Sequence, residues 1–369
     1  MTHVGTKRIL GATALLLAST SLASADISRA DPSMRLLFEE VGPSGNYVEL
    51  SFGFANPSAN SNGLVPDPLP SYTLPGLGFV HRYNDNLTVA LSYDTPFGAE
   101  VSYPGFPATP PFFGGNATVE TQQLSLLGRY EFGNGFRVHA GLRALEVEGE
   151  IYTSVLPLQF HQLRGTSDIG FGYLVGGAYE RPDIALRVAL TYVSAIEVDF
   201  TNTFEQNIVP GGAPGTTNFS VEFPDSLNLE FQTGVAPGTL VFGSIHYEHW
   251  DGFNLTTPTV GQYVNFTSDT TTYQLGVGRQ FTDNLSASIS YTHRTDGTIP
   301  SDSSLAPTTG LDTITLGARY TMDAVTITGG ITYGFPGDQF IANPFAPGGR
   351  VDFQDNEVFG AGVRIGFRF

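Results

Sequence analysis

The run Phe359-Gly360-Ala361-Gly362-Val363-Arg364-Ile365-Gly366-Phe367-Arg368-Phe369 decides the reading of this chain. Every second residue is apolar and the residues between are glycine or arginine. Period two places the apolar set on one face of a strand and the small or basic set on the other. An apolar strand at a free terminus of a soluble protein would template aggregation. A barrel wall in lipid requires such a strand, because closure pairs it with the first one.

The same rhythm fills the chain after Asn46. Runs of about ten alternating residues meet tight turns at Asn84-Asp85-Asn86, Gly133-Asn134-Gly135, Arg181-Pro182-Asp183, Ala236-Pro237-Gly238, Thr282-Asp283-Asn284 and Met322-Asp323-Ala324. Turn residues between two alternating runs signal a hairpin. Long connections fall near 55–73, 98–117, 153–168, 201–217, 252–270, 296–310 and 336–355. Short and long connections alternate, and together they predict an all-β, 14-stranded antiparallel transmembrane barrel over residues 46–369. An even count puts both ends of the barrel on the side of the short turns, the periplasmic side in bacterial outer-membrane proteins. A barrel of this width is not filled by wall side chains alone.

Strand faces follow from the alternation. Ser286, Ser288 and Ser290, then Thr326, Thr328 and Thr332, are expected inside. So are Thr313, Thr315, Gly317 and Arg319, and Ala185, Arg187, Ala189 and Thr191. Leu142 and Leu145 are out of phase, which predicts a bulge near Ala144. Arg279 shares the phase of Leu275 and Val277 and is expected to snorkel to the interface.

The N-terminus reads as a signal peptide, residues 1–25. Lys7 and Arg8 precede an apolar stretch, Ile9 to Leu22, and Ala23-Ser24-Ala25 is a small-residue cleavage site. The stretch is short for a membrane helix, and no later segment reaches the length a spanning helix needs. Removal of residues 1–25 leaves 15 basic against 35 acidic residues, a net charge of −20, which argues against nucleic acid as a partner. The chain has no cysteine, so disulfides and thiolate metal sites are excluded. The composition also fits a large soluble β-sandwich or β-helix; the strand-by-strand alternation decides for the barrel.

Four groups of residues are candidates for function. Pro96, with Phe97 and Gly98, ends the third strand, and a proline there marks either a ladder defect opening toward lipid or a plain strand end. Arg129, Arg137, Arg143, Arg187, Arg319 and Arg364 lie on inner faces. Arg129, Arg143, Arg187 and Arg319 are the candidates to hold a carboxylate head group; the other reading pairs them with lumenal acids such as Glu146 and Glu148. Phe106, Phe112, Phe113 and Phe160, with Leu156, Leu158, Phe340 and Phe345, make the outer loops greasy, either as a groove admitting an apolar ligand or as loop-stiffening clusters. Residues 26–45, with Met34, Leu36, Leu37 and Phe38, read as a short N-terminal plug, or otherwise as a periplasmic tail.

Catalytic signals are weak. His246 and His249 point to opposite faces of a strand, and no GxSxG, HExxH or P-loop pattern occurs. His81, His139 and His246 are the candidates for a Ser-His hydrolase assembled from distant strands. No metal, nucleotide or redox cofactor is expected.

The pattern resembles the FadL-type outer-membrane transporters of long-chain fatty acids and other hydrophobic compounds. The likeness rests on the strand count, the plug and three local signatures. These are Leu91-Ser92-Tyr93-Asp94-Thr95-Pro96-Phe97-Gly98, Phe223-Pro224-Asp225-Ser226, and the hairpin from Leu227 to Phe253 with Tyr247-Glu248-His249-Trp250-Asp251-Gly252-Phe253. The family's Asn-Pro-Ala motif before the first strand is replaced here by Asp31-Pro32-Ser33. The resemblance implies capture at extracellular loops, transfer to a lumenal pocket, movement of the plug, and sideways exit at a kinked third strand. It implies a monomer in the Gram-negative outer membrane, passive uptake of hydrophobic small molecules with fatty acids first, and contact with outer-membrane lipid. A general diffusion porin is the alternative from another class, and a lipid hydrolase a third.

Overall fold

The computed structural model describes residues 27–29, 34–103, 115–156, 159–208, 213–297, 305–342 and 350–369. Among these, fourteen antiparallel strands close into a barrel. They are β1 (Asn46–Ser58), β2 (Tyr72–Arg82), β3a and β3b (Leu87–Asp94, Gly98–Ser102), β4 (Gly115–Glu131), β5 (Phe136–Leu156), β6a and β6b (Gln159–Thr166, Gly170–Arg181), β7a and β7b (Leu186–Val193, Ile196–Ile208), β8a and β8b (Pro214–Phe223, Ser226–Ala236), β9 (Thr239–Glu248), β10 (Thr270–Gln280), β11 (Leu285–Arg294), β12 (Thr309–Met322), β13 (Val325–Gly337) and β14 (Glu357–Arg368). Closure is direct. Tyr47 to Ser58 of β1 pair with Arg368 to Glu357 of β14, and the Asn46 and Phe369 backbones exchange hydrogen bonds of 3.1 Å. Along this closing pair no strand edge is left open to lipid, which is what the bilayer demands.

The side chains sort as the alternation requires. Leu50, Phe52, Leu275, Ile289, Leu316, Ile331, Val363, Ile365 and Phe367 are exposed on the outer face. Thr191, Ser290, Thr292, Thr313, Thr326 and Thr328 are buried inside. All six tight turns lie at one end. Arg279 is exposed and its Nη1 donates to the Pro237 carbonyl beside the turn, as a snorkelling arginine does.

Three expectations are corrected. No register shift occurs near Ala144; the β4–β5 and β5–β6b ladders run through it. Leu145 instead faces inward and is fully buried, because apolar residues inside the barrel are needed to meet an internal core. With Arg143, Leu145 and Val147 inward, Glu146 and Glu148 alternate to the outside and are not lumenal. The connections at 153–168 and 201–217 are largely strand, since β5 runs to Leu156, β6a begins at Gln159, and β7b and β8a extend to Ile208 and from Pro214.

The strands are unequal in length. A tilted strand crosses a membrane with about 10 residues, whereas β4 has 17 and β5 has 21. Their surplus, with β6a, β7b and β8a, stands beyond the crossing part on the side of the long connections. Inside this raised wall lies an apolar core of Leu145, Val147, Ile196, Val198, Phe200, Val221 and Phe223 with Phe97, Trp250, Phe266 and Ala306. A second core lies lower, where Met34, Leu36 and Leu37 meet Tyr47, Val80, Ala90, Leu127, Leu174 and Val193.

Candidate functional site

The wall has a gap between β2 and β3. Their ladder runs from Arg82↔Thr88 to Leu77↔Tyr93 and stops. Beyond it, among the described residues, β2 continues from Gly76 to Tyr72 in a ladder with β1 alone, and β3b runs in a ladder with β4 alone. Proline explains both edges. Pro75 on β2 and Pro96 after β3a have no N–H to give, so the ladder cannot continue through them. Phe97, between β3a and β3b, is held by a side chain in place of a strand. Its N–H donates to Thr121 Oγ1 at 3.0 Å, and the same hydroxyl donates to its carbonyl at 2.6 Å.

The inner side of the kink is met by the N-terminal segment. Arg29 N–H donates to the Pro96 carbonyl and Gly98 N–H to the Ile27 carbonyl, both at 2.7 Å, around a bridge between Ser28 and Phe97. Ser28 Oγ donates to Glu248 at 2.5 Å. The Arg29 guanidinium lies over the Tyr72 ring of β2, 4.2 Å from its centroid. It therefore spans the gap from β3 to β2. A Cβ on Gly98 would overlap that guanidinium, so a larger residue there would push Arg29 away from its place over the ring. Burial lowers the Arg29 pKa, opposed by Tyr72, Glu100 and Glu120.

Residues Met34–Phe38 form a 3-10 turn inside the barrel. Gly78 makes room for it, since a Cβ there would meet a Leu36 methyl at 2.9 Å. Burying Met34, Leu36 and Leu37 contributes roughly 5–9 kcal/mol as an upper figure. Charge fixes the turn as well. Arg35 pairs with Glu39 and with Glu49 of β1, Glu49 faces Arg364 at 3.6 Å, and Arg319 faces Glu39 at 3.7 Å. Burial works against the Arg35 charge, but Glu49 and Glu39 outweigh it and hold its pKa above the ordinary value. Met34 N–H donates to Glu230 of β8b at 3.2 Å.

Between this turn and the raised apolar core lies a cavity of about 230 Å³. It reaches the wall gap, where Leu74 to Leu77 and Tyr93 to Phe97 line it. Its floor is Leu36 and Leu127, and its far side includes Val193, Pro224, Ser244 and Gln274. Arg143 borders it, donating Nε to Gln123 at 2.9 Å and Nη1 to the Ser194 carbonyl at 3.3 Å. Asp94 closes the mouth and accepts from Gln123 Nε2 at 3.1 Å.

Of the four arginines named as head-group candidates, the structure brings Arg143 to the cavity. Arg129 and Arg187 instead flank the Phe38 ring, 4.9 and 4.5 Å from its centroid, and Arg319 faces the N-terminal segment. Arg137 is spent on Glu131 and Glu180. Phe106, Phe112 and Phe113, and the Phe160 side chain, lie outside the described residues, as do residues 1–25. Phe340 is exposed on a small hairpin of the last long connection.

The aromatic cluster above the cavity could not be read from the residues alone. Trp250 is fully buried and packs edge-on against Phe97, Phe253 and Phe266, and Phe97 lies 4.8 Å from Phe223. A hairpin of residues 254–265 covers this cluster, with Leu255 and Val264 turned to it. Both of its arms donate a hydroxyl, from Thr257 and Tyr263, to buried Glu205 of β7b. The only sequence signal was the run Tyr247 to Phe253; nothing in it says that Trp250 folds back over Phe97. His161 stands beside this carboxylate and the Tyr263 ring. His81 is bonded to Asn46 and His139 to Thr191.

Comparison with known proteins agrees with this architecture. A family model described as "Outer membrane protein transport protein (OMPP1/FadL/TodX)" matches residues 34–367. A long-chain fatty acid transport protein of Escherichia coli O6:H1 is 24% identical over 237 residues, which is 53% of this chain and 52% of that protein. The chain thus aligns with about half the length of this curated relative. The crystal structure of a Pseudomonas aeruginosa FadL homologue superposes with a TM-score of 0.70 at 14% identity, covering 91% of this chain and 92% of the other. That of the Pseudomonas putida toluene transporter TodX gives 0.66 at 14% identity, covering 91% and 92%. At such identities the two structures bear on the fold.

Proposed function

Since the chain belongs to the OMPP1/FadL/TodX family of outer-membrane transport proteins, we propose that it is a passive conduit for hydrophobic small molecules that leave sideways through the wall. The observation that carries this is the continuity of the lumenal cavity with the β2–β3 gap. A hydrophobic cargo gains nothing by entering periplasmic water, whereas each methylene moved into lipid gains about 0.8 kcal/mol. A ladder defect is the way through a barrel side, and here Pro75 and Pro96 border one.

The N-terminal residues act as the plug in this reading. Ile27 to Arg29 take the place of β2 along the kink, and Met34 to Phe38 fill the lumen below. That filling, with its ion pairs, argues against an open aqueous porin. The conduit works as one chain, because the barrel closes on itself.

The cavity volume bears on the cargo. A cavity of about 150 Å³ holds benzene, so 230 Å³ fits a substituted ring or part of a chain. This favours compact hydrophobic molecules. A long-chain fatty acid, for which the E. coli relative is named, would have to extend through the gap or into the aromatic cluster, with Arg143 as the remaining head-group contact.

The test uses the absence of native cysteine. One cysteine on residues 74–76 and one on 94–96 are bridged across the gap by oxidation or a short bis-maleimide. Uptake of toluene and of oleate into cells should fall and, for the disulfide, recover on reduction, while binding to the purified protein is spared. Unchanged uptake with a confirmed bridge defeats the lateral route and leaves an axial one.

A further inference from the structure

We infer that Asp94 receives the hydrogen-bond donor of an uncharged apolar cargo bearing a hydroxyl or amino group, and that the cavity disfavours carboxylates. This rests on the lumenal conduit proposed above and specifies what it carries.

The groups around the cavity are unequal in what they offer. Among the described residues four carboxylates line it, Glu49, Asp94, Glu230 and Glu248, against three guanidinium groups, Arg35, Arg143 and Arg364. Arg35 and Arg364 are engaged by Glu39 and Glu49. Arg143 gives Nε and Nη1 to Gln123 and the Ser194 carbonyl, so its fork is turned to the wall. Two of its three nitrogens are committed to the wall, which leaves Nη2 and weakens its grip on a carboxylate. An incoming anion would also meet Asp94, whose charge acts on Arg143 from the same side of the lumen. Like charges repel more strongly where water is scarce.

Acceptors, in contrast, are in surplus. Asp94 Oδ1 takes one bond from Gln123, and among the described residues no bond reaches Oδ2. Across the lumen, Gln274 of β10 gives Nε2 to Thr292 at 3.3 Å, and its Oε1 is buried with no partner among the described residues. Both side chains line the same cavity. Asp94 adds an oxygen that faces the cavity. The Gln274 Oε1 is shut away from water without a donor, which is costly, and a ligand that brings a donor relieves that cost. A hydrocarbon brings none, and a carboxylate brings further acceptors. A phenol, an alcohol or an arylamine brings the donor on an apolar body. Ionised, Asp94 is the stronger of the two acceptors, because a bond to its carboxylate is charge-assisted. It also sits at the gap, where each cargo molecule passes. It is a binding residue that selects cargo rather than a structural one.

The test compares 4-methylphenol, its O-methyl ether and 4-methylbenzoate, by calorimetry on the purified protein in nanodiscs. Methylphenol should bind about tenfold more tightly than the ether, as one charge-assisted bond implies, and benzoate most weakly. Asp94→Ala should bring methylphenol to the level of the ether and leave the ether unchanged. Asp94→Asn, which keeps the shape and removes the charge, should strengthen benzoate. Equal binding of phenol and ether, an Asp94→Ala loss shared by both, or tightest binding of benzoate overturns the inference and leaves the conduit standing. Binding of none of the three removes the lumenal conduit itself.

Discussion

Thr121→Val isolates the kink of the third strand. In the native chain one hydroxyl serves both backbone groups of Phe97, accepting from its N–H at 3.0 Å and donating to its carbonyl at 2.6 Å. Valine has nearly the shape of threonine, so the wall keeps its packing and only the two bonds go. Phe97 is 6% exposed, between Phe223 and Trp250, so water has no easy path to replace them. Each buried group left unpaired costs about 1–3 kcal/mol, so the closed kink should lose roughly 2–6 kcal/mol relative to an opened one. Hydrogen exchange of the Phe97 amide reads this directly, because local opening sets its protection. At about 1.4 kcal/mol per factor of ten, exchange should speed by about thirtyfold or more. Amides of Leu124 to Leu127, in the intact β3a–β4 ladder, should not change. Unchanged exchange at Phe97 would show that the Thr121 hydroxyl does not hold the kink, and would refute a gap whose β3 edge is pinned by that side chain.

Two further outcomes are expected. Glu49→Gln removes the charge shared by Arg35 and Arg364 and weakens the acceptor of the Tyr47 hydroxyl, which sits at 2.7 Å. Breaking a buried pair on one side costs about 3–5 kcal/mol, so the denaturation midpoint should fall, and replacing Arg35 by Met in the same chain should recover part of the loss; a midpoint indifferent to Glu49→Gln would mean these groups are solvated. Trp250→Ala should cost about 3–5 kcal/mol as an unfilled core site and release the 254–265 hairpin, making it the first site cut by protease in the purified protein; first cleavage elsewhere would separate that hairpin from the aromatic cluster.

The barrel itself was legible in the residues. A period of two, turn residues at regular spacing and a wide apolar outer face leave one solution in lipid, because every backbone group must be paired and every edge closed. Strand number, the six tight turns and the inward arginines followed from local pattern alone. Where the pattern broke, the sequence misleads. Leu142 and Leu145 look like a slip of register, because a lumenal leucine has no reason to exist until an internal core is known. Glu146 and Glu148 fall on the wrong face for the same reason.

The site was decided by tertiary contacts. Pro96 announced a defect, but a strand end and a hole in a wall share one local sequence. They differ in whether β2 continues past the kink unpaired, and that depends on Pro75, which lies on a different strand. Inner-face arginines were visible as a set, yet their roles divided only when the chain folded. Arg129 and Arg187 met Phe38, Arg319 met the N-terminal segment, and Arg143 alone of the four came to the cavity. Alternation fixes the face a side chain occupies, since it is a property of neighbouring residues. Which groups meet across the lumen is set by ladder register and by the segment folded inside, and neither is written in any single strand.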